Sequence, residues 1–203
     1  MIGFSHDRGK RAAAAPVTLF RKLSGALRGF ARQTRGATAV EFAIVATPFF
    51  MLLFGVMELG LLFMASTTLD AATVDAARNI RTGAMQMSGS SSAASFQADV
   101  CSHMSWLSST DCSANVVVDV RTFATFGTIA STPPVTNGAL DPTLTTYDPG
   151  TSCSIVLVRV FYPYTLYTPL VDPGLPNLGP NQHLLTSAAA FRNENYSGAL
   201  PCT

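Results

Sequence analysis

The chain has 203 residues, room for one ordinary domain and an appendage, and a formal net charge of +1. That small total hides a division: residues 1–36 hold eight of the thirteen Lys/Arg against Asp7 alone, net +7, while residues 37–203 hold five Arg against eleven acids, net −6. The basic arm argues against nucleic-acid binding, because it runs directly into an apolar segment and no recognisable nucleic-acid fold follows it.

A basic stretch beside an apolar run marks the cytoplasmic side of a membrane segment. Residues 1–36, with Arg8, Lys10, Arg11, Arg21, Lys22, Arg28, Arg32 and Arg35, therefore read as a cytoplasmic leader. From Phe42 to Met57 no residue is charged, and apolar character continues past Glu58 to Ala65. That run makes about 36 Å of helix, enough for a hydrocarbon core of about 30 Å. Pro48 lies inside it, which membrane helices tolerate. We expect a transmembrane helix over 37–65. A cleaved secretory signal fits poorly: its apolar region runs about 7–15 residues, and the "FMASTTL" at the end of this run offers a poor cleavage site. The Arg-rich, acid-poor start keeps a mitochondrial transit peptide as a minor alternative.

Two carboxylates interrupt this segment, Glu41 and Glu58. Each costs on the order of 2.5–3.5 kcal/mol inside a bilayer, so each is functional, paired, or close enough to an interface to reach water. Their separation along a helix is roughly 26 Å. Glu58 thus approaches the far interface if Glu41 is at the near one.

Arg35-Gly36-Ala37-Thr38-Ala39-Val40-Glu41-Phe42 resembles the processing site of type IV prepilins. That resemblance implies cleavage by a prepilin peptidase between Gly36 and Ala37, with Glu41 as the fifth mature residue. The cut would create an ammonium at Ala37, and a carboxylate on a neighbouring subunit could pair with it in a low-dielectric bundle. "RGATAVEFAIVATPFFMLLFGVMELG" further resembles the start of TadE-like minor pseudopilins of tight-adherence (Flp-type) pilus systems. "LLTSAAAFRNENY" (184–196) is similar to that family's closing strand, ending in Arg-Asn-Glu, with Asn195 where the family usually has Pro.

After the membrane segment, "STTLDAATVDAARNIRTGAMQM" (66–87) continues as a stalk helix, with Leu69, Thr73, Ala76, Ile80 and Met87 near one face and Asp75 with Arg78 as an i,i+3 pair. That face packs either on the chain's own domain or between subunits. "SGSSSAAS" (88–95) is a flexible linker, and residues 96–203 form the exported domain. Phe96, Val100, Met104 and Leu107 recur at helical spacing. "NVVVDVRTF" (115–123) alternates as a half-buried strand; "SIVLVRVFY" (154–162), interrupted by Arg159, and "LLTSAAAFR" (184–192) are further strands, with Pro/Gly loops between. The fold class is α+β: a small antiparallel sheet facing the C-terminal side of one long helix.

All four cysteines, Cys101, Cys112, Cys153 and Cys202, come after the apolar segment, on the side where disulfides persist. Four cysteines allow three pairings; Cys101–Cys112 with Cys153–Cys202 is the preferred one. Zinc at Cys101, His103 and Cys112 matches no standard spacing. No nucleophile elbow, P-loop, zinc-protease or dinucleotide motif is present, and His6, His103 and His183 fall on separate segments. We expect no enzyme activity, cofactor or metal. The Asn195-Tyr196-Ser197 sequon is of a kind that arises often by chance.

The resemblance implies a minor subunit that helps initiate, prime or cap a pilus. It would sit in a bacterial inner membrane with its N-terminus cytoplasmic and its C-terminal domain periplasmic, and enter the fibre or stay at its base. Its partners would be the prepilin peptidase, other pilin and pseudopilin subunits and the inner-membrane assembly machinery. The alternative is an uncleaved single-pass anchor whose exported domain binds an envelope partner or ligand.

Overall fold

The computed structural model describes residues 34–104, 109–129, 132–168, 175–179, 181–198 and 202. The expected leader before Thr34, and Leu107 in the helical spacing series, lie outside these. The chain divides into two units, one up to Phe50 and one from Met51. Helix α1 (Thr34–Arg81) contributes to both.

In the first unit α1 leaves Val40, Phe42, Ile44, Val45, Phe49 and Phe50 exposed. Pro48 cannot donate to the Ile44 carbonyl. One residue earlier the Thr47 hydroxyl donates to the Ala43 carbonyl at 2.8 Å, and the Phe49 and Phe50 rings meet edge to face.

In the second unit the helix changes character. Glu58, Ala65, Leu69, Ala72, Thr73, Ala76, Ala77 and Ile80 are buried, with Leu62 packed against them. Steps of three and four residues put these on one stripe, and the stripe covers the chain's own sheet. Alanine is the commonest residue in it. Met87 does not join the stripe. Gly83 takes φ +77° and turns the chain into a separate short helix, α2 (Ala84–Met87), leaving Met87 exposed. The stalk expected to run unbroken to Met87 therefore ends at Arg81. Asp75 and Arg78 form no ion pair among the described residues.

Helix α3 (Ala93–His103) starts inside the expected linker, because Ser92 and Ser95 cap it reciprocally, each hydroxyl accepting from the other's backbone N–H. Phe96, Val100 and Met104 are buried as their spacing requires. Asn79 of α1 donates to Asp99 of α3 at 2.8 Å. Helix α4 (Ser109–Asn115) is an element the sequence did not announce, since "STDCSAN" has no apolar period. The Cys101–Cys112 disulfide ties it to α3.

Strands β1 (Val117–Phe123), β4 (Ile155–Thr165) and β5 (Gln182–Arg192) form an antiparallel sheet in the order β1-β4-β5. Val116, Val118, Val120, Val156, Val158, Val160 and Leu185 pack toward α1 and α3. The alternation in β1 reads as half-buried, yet its other face is covered as well. The chain between β1 and β4 returns over it, carrying a two-residue hairpin, β2 (Val135–Thr136) and β3 (Ala139–Leu140), that turns at Asn137-Gly138 with φ +53° and +76°. Phe161, Leu178 and Leu184 form a second core beneath this excursion.

Asp119 and Arg159 face each other across β1 and β4 within that layer. The carboxylate accepts from Arg159 Nη2 at 2.6 Å, Arg159 Nε at 3.0 Å, Arg121 Nε at 2.9 Å and the Thr146 N–H at 2.8 Å. Arg159 also donates to the Thr132 carbonyl and Arg121 to the Leu144 carbonyl. The triad thus pins the covering loop to the sheet. Burial pushes the Asp119 carboxyl upward, but the Arg159 hydrogen bond, the Thr146 N–H and Arg121 outweigh it and hold the pKa below the ordinary value.

The second disulfide, Cys153–Cys202, ties the chain beyond β5 to the entry of β4. Loop-closure arithmetic gives about 3 kcal/mol for the 11-residue separation of Cys101–Cys112 and about 4 kcal/mol for the 49-residue separation here.

Two outcomes are expected. Asp119→Asn leaves the Arg159 charge buried without its counter-ion and costs about 3–5 kcal/mol in urea denaturation of the solubilised protein. Because the folded pKa of Asp119 lies below its unfolded value, its contribution is fully present above about pH 4 and lost as pH falls through the folded pKa. The variant should lack that acid-dependent loss. Gly83→Ala should cost more than about 1 kcal/mol, because φ is positive and the new Cβ would run into the Tyr196 ring.

Candidate functional site in the apolar helix

The expected processing residues lie in the first turns of α1, with Gly36 half-buried. The Glu41 side chain is exposed and makes no hydrogen bond or ion pair among the described residues. Glu58 is the opposite case. It is only 5% exposed, in a segment whose neighbours Met57 and Leu59 are open. Its Oε1 accepts the Tyr167 N–H at 2.8 Å and its Oε2 accepts the Thr168 N–H at 2.6 Å. Both donors belong to the chain just after β4, where Leu166 N–H is held by the Asn181 carbonyl. Successive backbone N–H groups turned toward one anion form a concave cradle. Hydrogen bonds to a charged acceptor are worth about 1.5–3 kcal/mol each. The carboxylate that looks misplaced in the sequence is therefore what fastens the sheet's end to the helix.

The same end of the sheet gathers tyrosines. Tyr162 and Tyr164, like Leu62, pack against the core, while Tyr167 is 83% exposed. Burial, followed by nearby Asp111, raises the Tyr162 pKa; burial, followed by Glu58, raises that of Tyr164. At the other end of the helix stripe, Glu194 closes the domain. Its N–H donates to the Arg81 carbonyl at 2.8 Å, satisfying a terminal acceptor of α1, and its carboxylate meets Arg81 Nε at 3.3 Å. Buried Asn193 donates to the carbonyls of Pro149 and Thr151. The Arg-Asn-Glu that closes β5 is thus a helix-end fastening. Sequence reasoning missed Tyr167 and Thr168, because their part is played by main-chain N–H groups that no side-chain pattern reveals.

Among the described residues no group of three or more His, Cys, Asp or Glu gathers as a metal site. His103 and His183 each lie beside a backbone carbonyl, those of Asp99 and Leu175.

Among the described residues one helix is long and apolar enough to cross a membrane. Together with the disulfide-bonded domain beyond it, that helix defines a membrane-anchored protein. Within that class, residues 36–78 match the family model described as TadE-like protein, so this segment is TadE-like, the family its motifs resemble. The match starts at Gly36, takes in both glutamates and ends at Arg78, before the sheet domain. No curated protein and no solved structure matches the chain.

Glu58→Leu should remove the acceptor of two main-chain donors and destabilise the junction by about 1–3 kcal/mol. Hydrogen exchange at the Tyr167 and Thr168 amides should accelerate while exchange in the centre of β4 stays slow. Glu58→Gln, which keeps one acceptor oxygen, should fall between the two.

Proposed function

We propose that the protein is a minor pilin of a tight-adherence pilus, synthesised with residues 1–36 as a cytoplasmic leader and cut between Gly36 and Ala37. The observation that carries this reading is the coincidence of two signals. The TadE-like match starts at Gly36, and Glu41 stands four residues after Ala37 as an exposed carboxylate among exposed apolar side chains.

An acid in that setting is costly alone and favourable beside a cation. The new ammonium of a neighbouring subunit supplies one only when two helices are in register. Glu41 then acts as a ruler for assembly, and the role is structural, without catalysis. The helix from 37 anchors the subunit in the inner membrane, and residues 96–203 form the periplasmic domain. The prepilin peptidase, other pilin subunits and the assembly machinery are the partners this role requires.

The test is the N-terminal residue of the protein extracted from its own membranes, with an intact mass. A start at Ala37 that is lost when the prepilin peptidase is deleted is expected; an intact leader in cells with active peptidase leaves an uncleaved anchor. Glu41→Val should then remain inserted but fail to incorporate into pili. Normal assembly by that variant would sink the pairing argument.

A further inference from the structure

The Glu58 junction fixes where the folded domain sits along the helix. A lipid contact inferred from that position rests on the membrane-anchor reading, in which residues before Glu58 are in hydrocarbon. Met51, Leu52, Leu53, Phe54, Val56 and Met57 are all exposed, and they span the turns that lead up to Glu58. From Glu58 onward one side of the helix is covered by the domain while Leu61, Phe63 and Met64 stay open on the other. Irregular backbone is not exposed to hydrocarbon, and the chain after β4 that meets Glu58 is irregular with Tyr167 83% exposed, so Glu58 marks the edge of the hydrocarbon. Its two hydrogen bonds then hold Tyr167 and Thr168 at that same depth.

Beside them lies a groove of about 420 Å³ lined by Tyr162, Pro163, Tyr164, Tyr167, Asp111 and Asn115. Tyrosine is a residue of the membrane–water boundary, where its ring meets apolar matter and its hydroxyl meets water. Tyrosine faces also attract quaternary and primary ammonium groups, and Asp111 is close enough to Tyr162 to affect its titration. No Lys or Arg among the described residues lines the groove, so nothing in it is matched to a free phosphate.

We propose that the Tyr162–Tyr164–Tyr167 end of the sheet is a lipid-contact surface. It rests in the headgroup layer of the bilayer that α1 crosses and takes the ammonium end of a zwitterionic phospholipid in its groove. The domain is thereby held against the membrane at two points, the helix itself and this tyrosine shelf, and does not swing freely on its stalk.

The experiment uses the full chain in phosphatidylcholine vesicles. The chain's one tryptophan, Trp106, is replaced by Phe and a single new tryptophan is introduced as Leu52→Trp, Tyr167→Trp or Leu144→Trp. Tyr167 offers only its backbone N–H to Glu58, so its substitution leaves the junction intact. Leu144 is an exposed residue of the loop that covers the opposite face of the sheet from α1. Quenching is read with a nitroxide on the choline headgroup and with one at mid-chain. Expected is loss of the Tyr167→Trp emission to the headgroup nitroxide, loss of the Leu52→Trp emission to the mid-chain one, and no loss at Leu144→Trp. Quenching at Leu52→Trp with none at Tyr167→Trp overturns the shelf and leaves that surface to a neighbouring subunit. No quenching at Leu52→Trp overturns the membrane-anchor reading itself, and the shelf with it.

Discussion

At Glu58 one helix passes between two kinds of surroundings, and its carboxylate is where the two are joined. Before it, α1 exposes apolar side chains; after it, the helix buries a stripe of Ala, Leu, Thr and Ile against a sheet. A charge at that junction is costly to bury unless it is fully hydrogen-bonded. Two consecutive main-chain N–H groups meet the requirement. The pairing satisfies both sides, since those N–H groups lie past the end of β4, where no strand partner takes them up.

The rest of the second unit is built of fastenings between elements that would otherwise only touch. The buried stripe of the helix is secured at one end by Glu58 and at the other by Glu194 on the Arg81 carbonyl. The sheet is secured to its covering loop by Asp119, Arg159 and Arg121. Disulfides secure α4 to α3 and the chain beyond β5 to the start of β4. The alanine stripe buries little area per residue, so hydrophobic burial along it is modest. Directional bonds at the ends of the stripe compensate for that.

Much of this was legible in the residues. The apolar run, the strand alternations and the cysteine placement lead to an α+β domain behind a membrane helix, which is the architecture found. The stripe was legible only in part: Leu69, Thr73, Ala76 and Ile80 share a face in the sequence, but Glu58 reads there as a carboxylate near the far interface, whereas it continues that face through Leu62 and Ala65 and is buried. What sequence could not supply was the main-chain partner, because an N–H group carries no residue signature. The pairing of Asp119 with Arg159 needed the register of β1 on β4; the sequence showed only an arginine interrupting a strand. Helix α4 had no period to read, and Asn137-Gly138 reads as part of a loop although Asn-Gly is the usual hairpin pair.

The topology also sets an order of events. β4 lies between β1 and β5, and both the Tyr167–Thr168 cradle and the Arg81 cap come from chain beyond β4. On the proposed orientation these residues cross the membrane after α1 is already in it. The Cys101–Cys112 link can close early because its partners are near in sequence, whereas Cys153 must wait for Cys202. During that interval Glu58 has no partner and the helix is a poor membrane segment at its outer end. Arrival of the later chain satisfies the carboxylate, caps the helix and supplies the third strand. On that orientation, export and the final seating of the anchor are a single process, completed by the residues that emerge late.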